Sequence, residues 1–261
     1  MKKYLVIGNP IKHSLSPVLH NHWIKQNNLK AVYKKKQLNK NDLKRIIAEL
    51  KDGMVQGINV TVPYKKLIIP YLDELSPLAE KSQSVNTILK KNNKIFGENT
   101  DIGGFQNALN HINYSIKNKK VFILGAGGVV PSIIIALKNL NVSKIVLSNR
   151  TKSKAENLKK IEPNLEIIDW GHITDFDMII NATSLGLKSD DKIKLDYDKI
   201  GTNKLFYDVI YNPAKTNFLL KGEQLGNKIE NGKMMFIYQA QLAFKIWHNI
   251  LPKVDNKLLD K

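Results

Sequence analysis

The residues Asn59-Val60-Thr61-Val62-Pro63-Tyr64-Lys65 put a lysine where neither helix propensity nor capping asks for one. The pattern predicts a strand that turns Asn59 and Thr61 to one face, then a short helix opened by Pro63. Lys65 would lie in its first turn, where the helix dipole disfavours a cation. The same dipole would make that ammonium a better proton donor than a free lysine, suited to a general acid acting on a carbonyl oxygen. A carboxylate is available in Asn99-Thr100-Asp101, which leads into Gly103-Gly104-Phe105 and a helix, although Asp101 reads equally well as a helix N-cap. Neutral hydrogen-bonding groups come from Ser84-Val85-Asn86-Thr87, on a strand, and from Ser14-Leu15-Ser16-Pro17, before a helix. In the simplest reading Ser16 is an N-cap and Pro17 the first helical residue, while two hydroxyls at a positive helix end also suit a substrate carboxylate. A lysine, a carboxylate and several neutral groups together describe a pocket for a small polyhydroxylated acid. Beside a nicotinamide donor, the implied reaction is carbonyl reduction.

A site for that donor is readable in the middle of the chain. After the apolar run Val121-Phe122-Ile123-Leu124, Gly125 permits a tight turn and Gly127 permits close approach to a pyrophosphate lying at the start of the next helix. The third fingerprint position holds Val130, which sets helix and sheet slightly further apart, and a purely structural turn would also explain a lone glycine pattern. A second apolar run, ending at Leu147, leads into Ser148-Asn149-Arg150-Thr151, where dinucleotide folds place their ribose reader. No acidic residue stands there; Arg150 does, with Lys154 one turn on, and a guanidinium that grips a 2′-phosphate bidentately favours NADP over NAD. The plainer alternative is that Thr151 caps a helix and Arg150 is solvated.

These groups need a scaffold, and short β-branched runs alternating with helical patterns predict an α/β chain. Strands are expected at Tyr4–Ile7, Val32–Gln37, Gly57–Val60, Lys120–Leu124, Lys144–Leu147, Met178–Asn181 and Leu205–Asp208, with helices near 17–27, 41–51, 102–112, 129–140, 152–160 and 233–249. The glycine turn makes a mononucleotide-binding βαβ unit in mid-chain, so the residues before about 100 form a separate α/β domain. The amphipathic last helix, with Met234, Met235, Ile237, Leu242, Phe244, Ile246 and Trp247, could return to pack on that first domain.

Composition agrees with such an architecture: 261 residues fit two modest domains, and 43% hydrophobic with 25% charged residues is ordinary for a globular protein. The absence of cysteine excludes disulfides, thiolate metal sites and a cysteine nucleophile, and no metal is expected. No apolar run approaches a membrane span, and the N-terminal MKKYLVIGNP has too short an apolar core for a signal peptide, so a cytoplasmic protein with no membrane partner is expected. The formal charge of +18 suggests nucleic acid, but of 41 basic residues only Arg45 and Arg150 are arginines. Lysines spread among asparagines read better as a solvated basic surface that helps recruit small anions, and no nucleic-acid partner is expected.

Taken in order, GNPIKHSLSP (8–17), NVTVPYK (59–65), SVNT (84–87), NTDIGGF (99–105), GAGG (125–128), SNRT (148–151), NATS (181–184), YDVIYNPAKT (207–216) and QAQLAF (239–244) resemble the shikimate dehydrogenases over almost the whole chain. The resemblance implies an N-terminal α/β substrate domain (1–101), a Rossmann-type NADP-binding domain (102–232) with a cleft between the two, and C-terminal helices (233–261) returning to the first. It implies NADP(H) as cofactor and reversible reduction of 3-dehydroshikimate to shikimate, toward chorismate and the aromatic amino acids, by a monomer or homodimer. Carried over by position, Lys65 and Asp101 are the catalytic pair, and Ser14, Ser16, Thr61, Asn86, Asp101, Tyr211 and Gln239 hold the substrate. The cofactor residues are Gly125, Ala126, Gly127, Gly128 and Val129 at the pyrophosphate, Asn149, Arg150, Thr151 and Lys154 at the adenosine phosphate, and Val209 and Gly232 near the nicotinamide. The chain departs from the family pattern in the turn GAGGVV and at Met234. A related quinate/shikimate dehydrogenase with relaxed NAD/NADP use, and a non-catalytic NADP- or nucleic-acid-binding protein, are the alternatives.

Overall fold

A computed structural model of the protein describes residues 1–255 and 259. The chain forms two compact units, Met1–Gly104 with Ile237–Lys261, and Phe105–Phe236. The breaks fall a few residues beyond the expected 101/102 and 232/233, inside helices rather than in loops.

The first unit is built on strands β1 (Lys2–Gly8), β2 (Ala31–Gln37), β3 (Gly57–Val60), β4 (Glu74–Leu75), β5 (Thr87–Lys91) and β6 (Lys94–Glu98), in the order β2-β1-β3-β5-β6-β4. β1 pairs in parallel with β2 and β3, whereas β5 runs antiparallel to β3 and β6. The apolar run of β1 is buried on both faces because helices cover both sides. On one side lies α2 (Leu43–Lys51), whose buried Leu43, Ile46, Ile47 and Leu50 recur at helical spacing and pack with Leu5, Ile7, Ile58 and Ile88. Each such side chain contributes about 1.5–3 kcal/mol when fully buried. On the other side, α1 (Ser16–Gln26) and α8 (Lys233–His248) bring aromatic rings together: His20 stacks on Tyr33 at 4.1 Å, Trp23 meets Phe244, and Trp247 packs on Tyr4. Gly57 is required beneath this layer, since a Cβ there would lie inside the indole of Trp247. A short helix α3 (Pro77–Ser82) and the first turn of α4 (Asp101–His111) complete the unit. Of the tail beyond α8, residues 256–258, 260 and 261 lie outside the described residues.

In the second unit, β7 (Lys120–Leu124), β8 (Lys144–Ser148), β9 (Glu166–Ile168), β10 (Met178–Asn181), β11 (Leu205–Asp208) and β12 (Lys228–Glu230) are all parallel, in the order β9-β8-β7-β10-β11-β12. That is the doubly wound dinucleotide-binding order, with its switch between β7 and β10, where such sheets open a crevice at the strand C-termini. α5 (Val130–Asn139), almost wholly buried, follows β7; α6 (Lys152–Glu156) follows β8 and continues only as a 3-10 turn, so the expected helix 152–160 is broken in two; α7 (Asn217–Gln224) follows β11. Among the described helices none is long and apolar enough to cross a membrane.

Candidate active site

Lys65 does not lie in a helix. Residues 65–68 form a turn closed by Ile68 N–H donating to Tyr64 O at 2.9 Å, with a 3-10 turn at Ile69–Tyr71 after it. Pro70 explains the difference from expectation: it lacks an N–H, and its ring obstructs the carbonyl four residues earlier, so a helix opened at Pro63 has nowhere to run. The dipole argument for the proton-donating power of Lys65 therefore falls. Geometry takes its place. The Lys65 carbonyl accepts from Val85 N at 2.9 Å, and buried Tyr64 donates its hydroxyl to Leu38 O at 2.6 Å, so the segment is anchored on both sides of the lysine.

The ammonium donates to Asp101 Oδ2 at 2.5 Å, and the two side chains are only 12% and 6% exposed. Asp101 is the first residue of α4, but capping is done by Asn99, whose Oδ1 accepts from the N–H groups of Asp101 and Ile102 at 3.1 and 3.4 Å. The carboxylate is thereby released from the N-cap role that the sequence also allowed. Its Oδ1 accepts from Asn86 Nδ2 at 2.9 Å, and Asn86 Oδ1 in turn accepts from Thr100 N at 2.8 Å. Gln239, on α8, closes the group with Oε1 3.4 Å from Asn86 Nδ2. Breaking a buried charge pair of this kind by deleting one member typically costs about 3–5 kcal/mol.

Ser16 is not an N-cap either: α1 begins at Ser16 itself, Leu15 occupies the cap position, and no side chain caps. Instead Ser14 Oγ donates to Ser16 Oγ and accepts from Ser16 N, both at 3.3 Å, and Ser16 reaches the hydroxyl of Tyr33. Tyr33 donates to Asn59 Oδ1 at 2.6 Å, and Asn59 Nδ2 donates to Asn86 O at 3.0 Å and Thr87 Oγ1 at 3.1 Å. One buried polar chain thus joins the serines to Asn86, Asp101 and Lys65. Thr61 is half-buried beyond the end of β3, its N–H donating to Ile7 O at 2.9 Å. Of Ser84–Thr87 only Thr87 is in a strand; the other three form the buried approach to it.

In the second unit Gly125 takes φ +108, and a Cβ on it would stand 2.8 Å from the carbonyl oxygen of Ala182 at the end of β10. Ala126 and Val129 are half-buried, Gly127 and Gly128 are exposed, and Val130 is fully buried at the start of α5. A glycine turn at the switch point, opening a helix with uncovered backbone, fits a dinucleotide pyrophosphate. At the end of β8, Asn149 Nδ2 donates to Thr151 O at 2.8 Å, while Arg150, Thr151 and Lys154 are exposed. Thr151 holds the N-cap position of α6 without a side-chain capping bond, so capping does not account for it. Val209 follows β11, its N–H donating to Asn181 O at 3.0 Å, and Gly232 packs so closely that any Cβ would collide with the Val209 carbonyl. Tyr211 stacks on Phe236 with ring centroids 4.6 Å apart. Among the described residues no group of three or more His, Cys, Asp or Glu could hold a metal ion.

The model of the shikimate dehydrogenase substrate-binding domain matches residues 6–88, and that of shikimate/quinate 5-dehydrogenase matches residues 107–190. A shikimate dehydrogenase (NADP(+)) of Pelagibacter ubique is 58% identical over 259 residues, 99% of this chain and 98% of that protein. The chain belongs to the shikimate dehydrogenase family. The crystal structure of shikimate dehydrogenase from Aquifex aeolicus superposes with a TM-score of 0.91 at 38% identity, covering 100% of this chain and 96% of that one. The Thermus thermophilus shikimate 5-dehydrogenase, in complex with NADP(H) and shikimate, gives 0.90 at 29% identity, covering 99% and 97%. Within this shikimate dehydrogenase fold, Tyr33 and Asn59 as links to Asn86, Asn99 as helix cap and the carboxylate of Asp208 had no sequence reading. A β-branched or aromatic run hides a buried polar residue whose partners lie far along the chain.

Proposed function

We propose that the chain catalyses the reversible NADPH-dependent reduction of 3-dehydroshikimate to shikimate, a step toward chorismate and the aromatic amino acids. The observation that carries this reading is the nearly buried Lys65–Asp101 pair, 2.5 Å apart at the head of a polar chain. An ammonium has three donors, and among the described residues Asp101 takes one of those on Lys65, leaving two for a substrate oxygen. Lys65 Nζ gives its proton to the ketone oxygen as negative charge develops there. Asp101 keeps the ammonium aimed, and its spare lone pairs accept from a substrate hydroxyl. Ser14, Ser16, Thr61, Asn86, Tyr211 and Gln239 complete the substrate contacts. When bound, NADPH supplies the hydride. Gly125 to Val129 hold the pyrophosphate, Asn149, Arg150, Thr151 and Lys154 hold the adenosine phosphate, and Val209 and Gly232 shape the nicotinamide end. The same reading makes the protein a cytoplasmic monomer or homodimer.

The test is loss of the reduced-nicotinamide absorbance band with 3-dehydroshikimate, comparing NADPH with NADH, and with quinate tried in the reverse direction. Turnover with NADPH well above NADH is expected. No turnover with either cofactor would overturn the reading, and equal rates would remove the role given to Arg150.

A further inference from the structure

At the end of β11, Asp208 is completely buried, and among the described residues none of the groups bonded to its carboxylate is a cation. Oδ1 accepts from Asn181 Nδ2 at 3.0 Å and from Ile210 N at 2.9 Å; Oδ2 accepts from Asn181 Nδ2 at 3.1 Å and from Thr216 Oγ1 at 2.6 Å. Asn181 ends the neighbouring strand β10, and its Oδ1 accepts from Thr183 N and Thr183 Oγ1 at 3.0 and 2.7 Å. Thr216 caps α7 by accepting from Leu219 N at 3.4 Å. The carboxylate therefore ties together the turn after β10, the turn after β11 and the start of α7. A buried anion without a cation is a costly tie, and a neutral group would serve mere packing at less cost. No neutral side chain of this size accepts from all these donors at once, because an amide would turn its own NH₂ toward the Ile210 N–H or the Asn181 amide.

We propose that Asp208 is a positioning residue for hydride transfer, clamping the turn Val209–Tyr211 so that it presents the nicotinamide in one orientation. The proposal rests on the reading above, in which Val209 and Gly232 shape the nicotinamide end of the site and Tyr211 contacts the substrate. Two further bonds support the clamp: Val209 N donates to Asn181 O at 3.0 Å and Gly232 N to Ile210 O at 3.1 Å, so displacing the turn displaces both of its neighbours.

The experiment compares Asp208→Asn, Thr216→Val and Thr216→Ser in the full chain, with kcat at saturating NADPH and 3-dehydroshikimate referred to folded enzyme. Calorimetry gives the affinity for NADPH and for 2′-phospho-ADP-ribose, a fragment without the nicotinamide. Asp208→Asn and Thr216→Val should lower kcat by about 10- to 10²-fold, the range for a reacting group displaced by about 1 Å, while Thr216→Ser stays near wild type. Fragment affinity should be unchanged in all three, which a general loosening of the unit would not permit. An unchanged kcat in folded Asp208→Asn, or parallel loss of kcat and fragment affinity, overturns the proposal. If Asp208→Asn does not fold, the Thr216 pair decides by the same criteria. A wild type that turns over no 3-dehydroshikimate defeats the functional reading separately, and the clamp is then judged by whether the variants lose NADPH affinity relative to the fragment.

Discussion

His20 is fully buried with Tyr33, Trp23, Phe244 and Trp247 around it, and neither ring nitrogen has a hydrogen-bond partner among the described residues. Burial pushes its pKa down to about 3 from 6.5, and repulsion by His248 adds to the shift. The unfolded chain therefore takes up this proton near pH 6.5 and the folded chain only near pH 3. The stability contributed by His20 is complete above about pH 6.5 and drains away as the pH falls between those values, at up to about 1.4 kcal/mol per pH unit. At pH 5 the loss is about 2 kcal/mol. His248, lowered to about 4 by burial and by the charge of Lys2, acts in the same direction. Asp208, raised to about 6 by burial, acts oppositely, since its folded state binds the proton first and gains stability on acidification. The informative quantity is thus a difference. Replacing His20 by Phe keeps an aromatic ring in the layer and removes the titration, so urea unfolding at pH 7 and pH 5 should show the variant gaining about 2 kcal/mol on wild type between the two. A gap independent of pH would refute the argument that this imidazole is held neutral.

Three other outcomes follow from the geometry. Lys65→Ala should lower kcat by about 10²- to 10⁴-fold with a smaller change in KM, as for loss of a general acid, and an intact kcat would exclude Lys65 from proton transfer. Arg150→Ala should weaken NADPH binding by about 1.5–3 kcal/mol and leave NADH unaffected, measured by fluorescence titration; equal effects on both cofactors would argue against a 2′-phosphate contact. Gly57→Ala forces a methyl into the indole of Trp247 and should cost about 1–3 kcal/mol in thermal unfolding, so an unchanged Tm would mean that α8 does not press on β3 as described.

Long apolar runs were legible: β1, β7, β10 and β11 lie within a residue or two of expectation, because a strand covered on both faces must be apolar throughout. The edge strands β4, β9 and β12 escaped notice, being two or three residues long, with no fully buried residue and no period to read. At the site, the residue types were readable but their local settings were not. Pro63 looked like a helix start, and the veto came from Pro70. Asp101 looked like a cap, but Asn99, two residues earlier, takes that work. The hydroxyl of Ser16, at the start of helix α1, is claimed by Tyr33 on strand β2, a pairing that only the folded unit creates.

The return of residues from 237 onward to the first unit has a consequence for biosynthesis. As the polypeptide leaves the ribosome, β1 to β6 emerge with α1, yet Phe244 and Trp247, which seal the aromatic layer over His20, Trp23 and Tyr33, come last. At about 5–20 residues per second the delay is of order ten seconds. Throughout it the nascent amino-terminal half carries an open greasy flank, while the nucleotide-binding half, contiguous in sequence, can finish first; a stop codon placed before Ile237 would leave that flank bare for good.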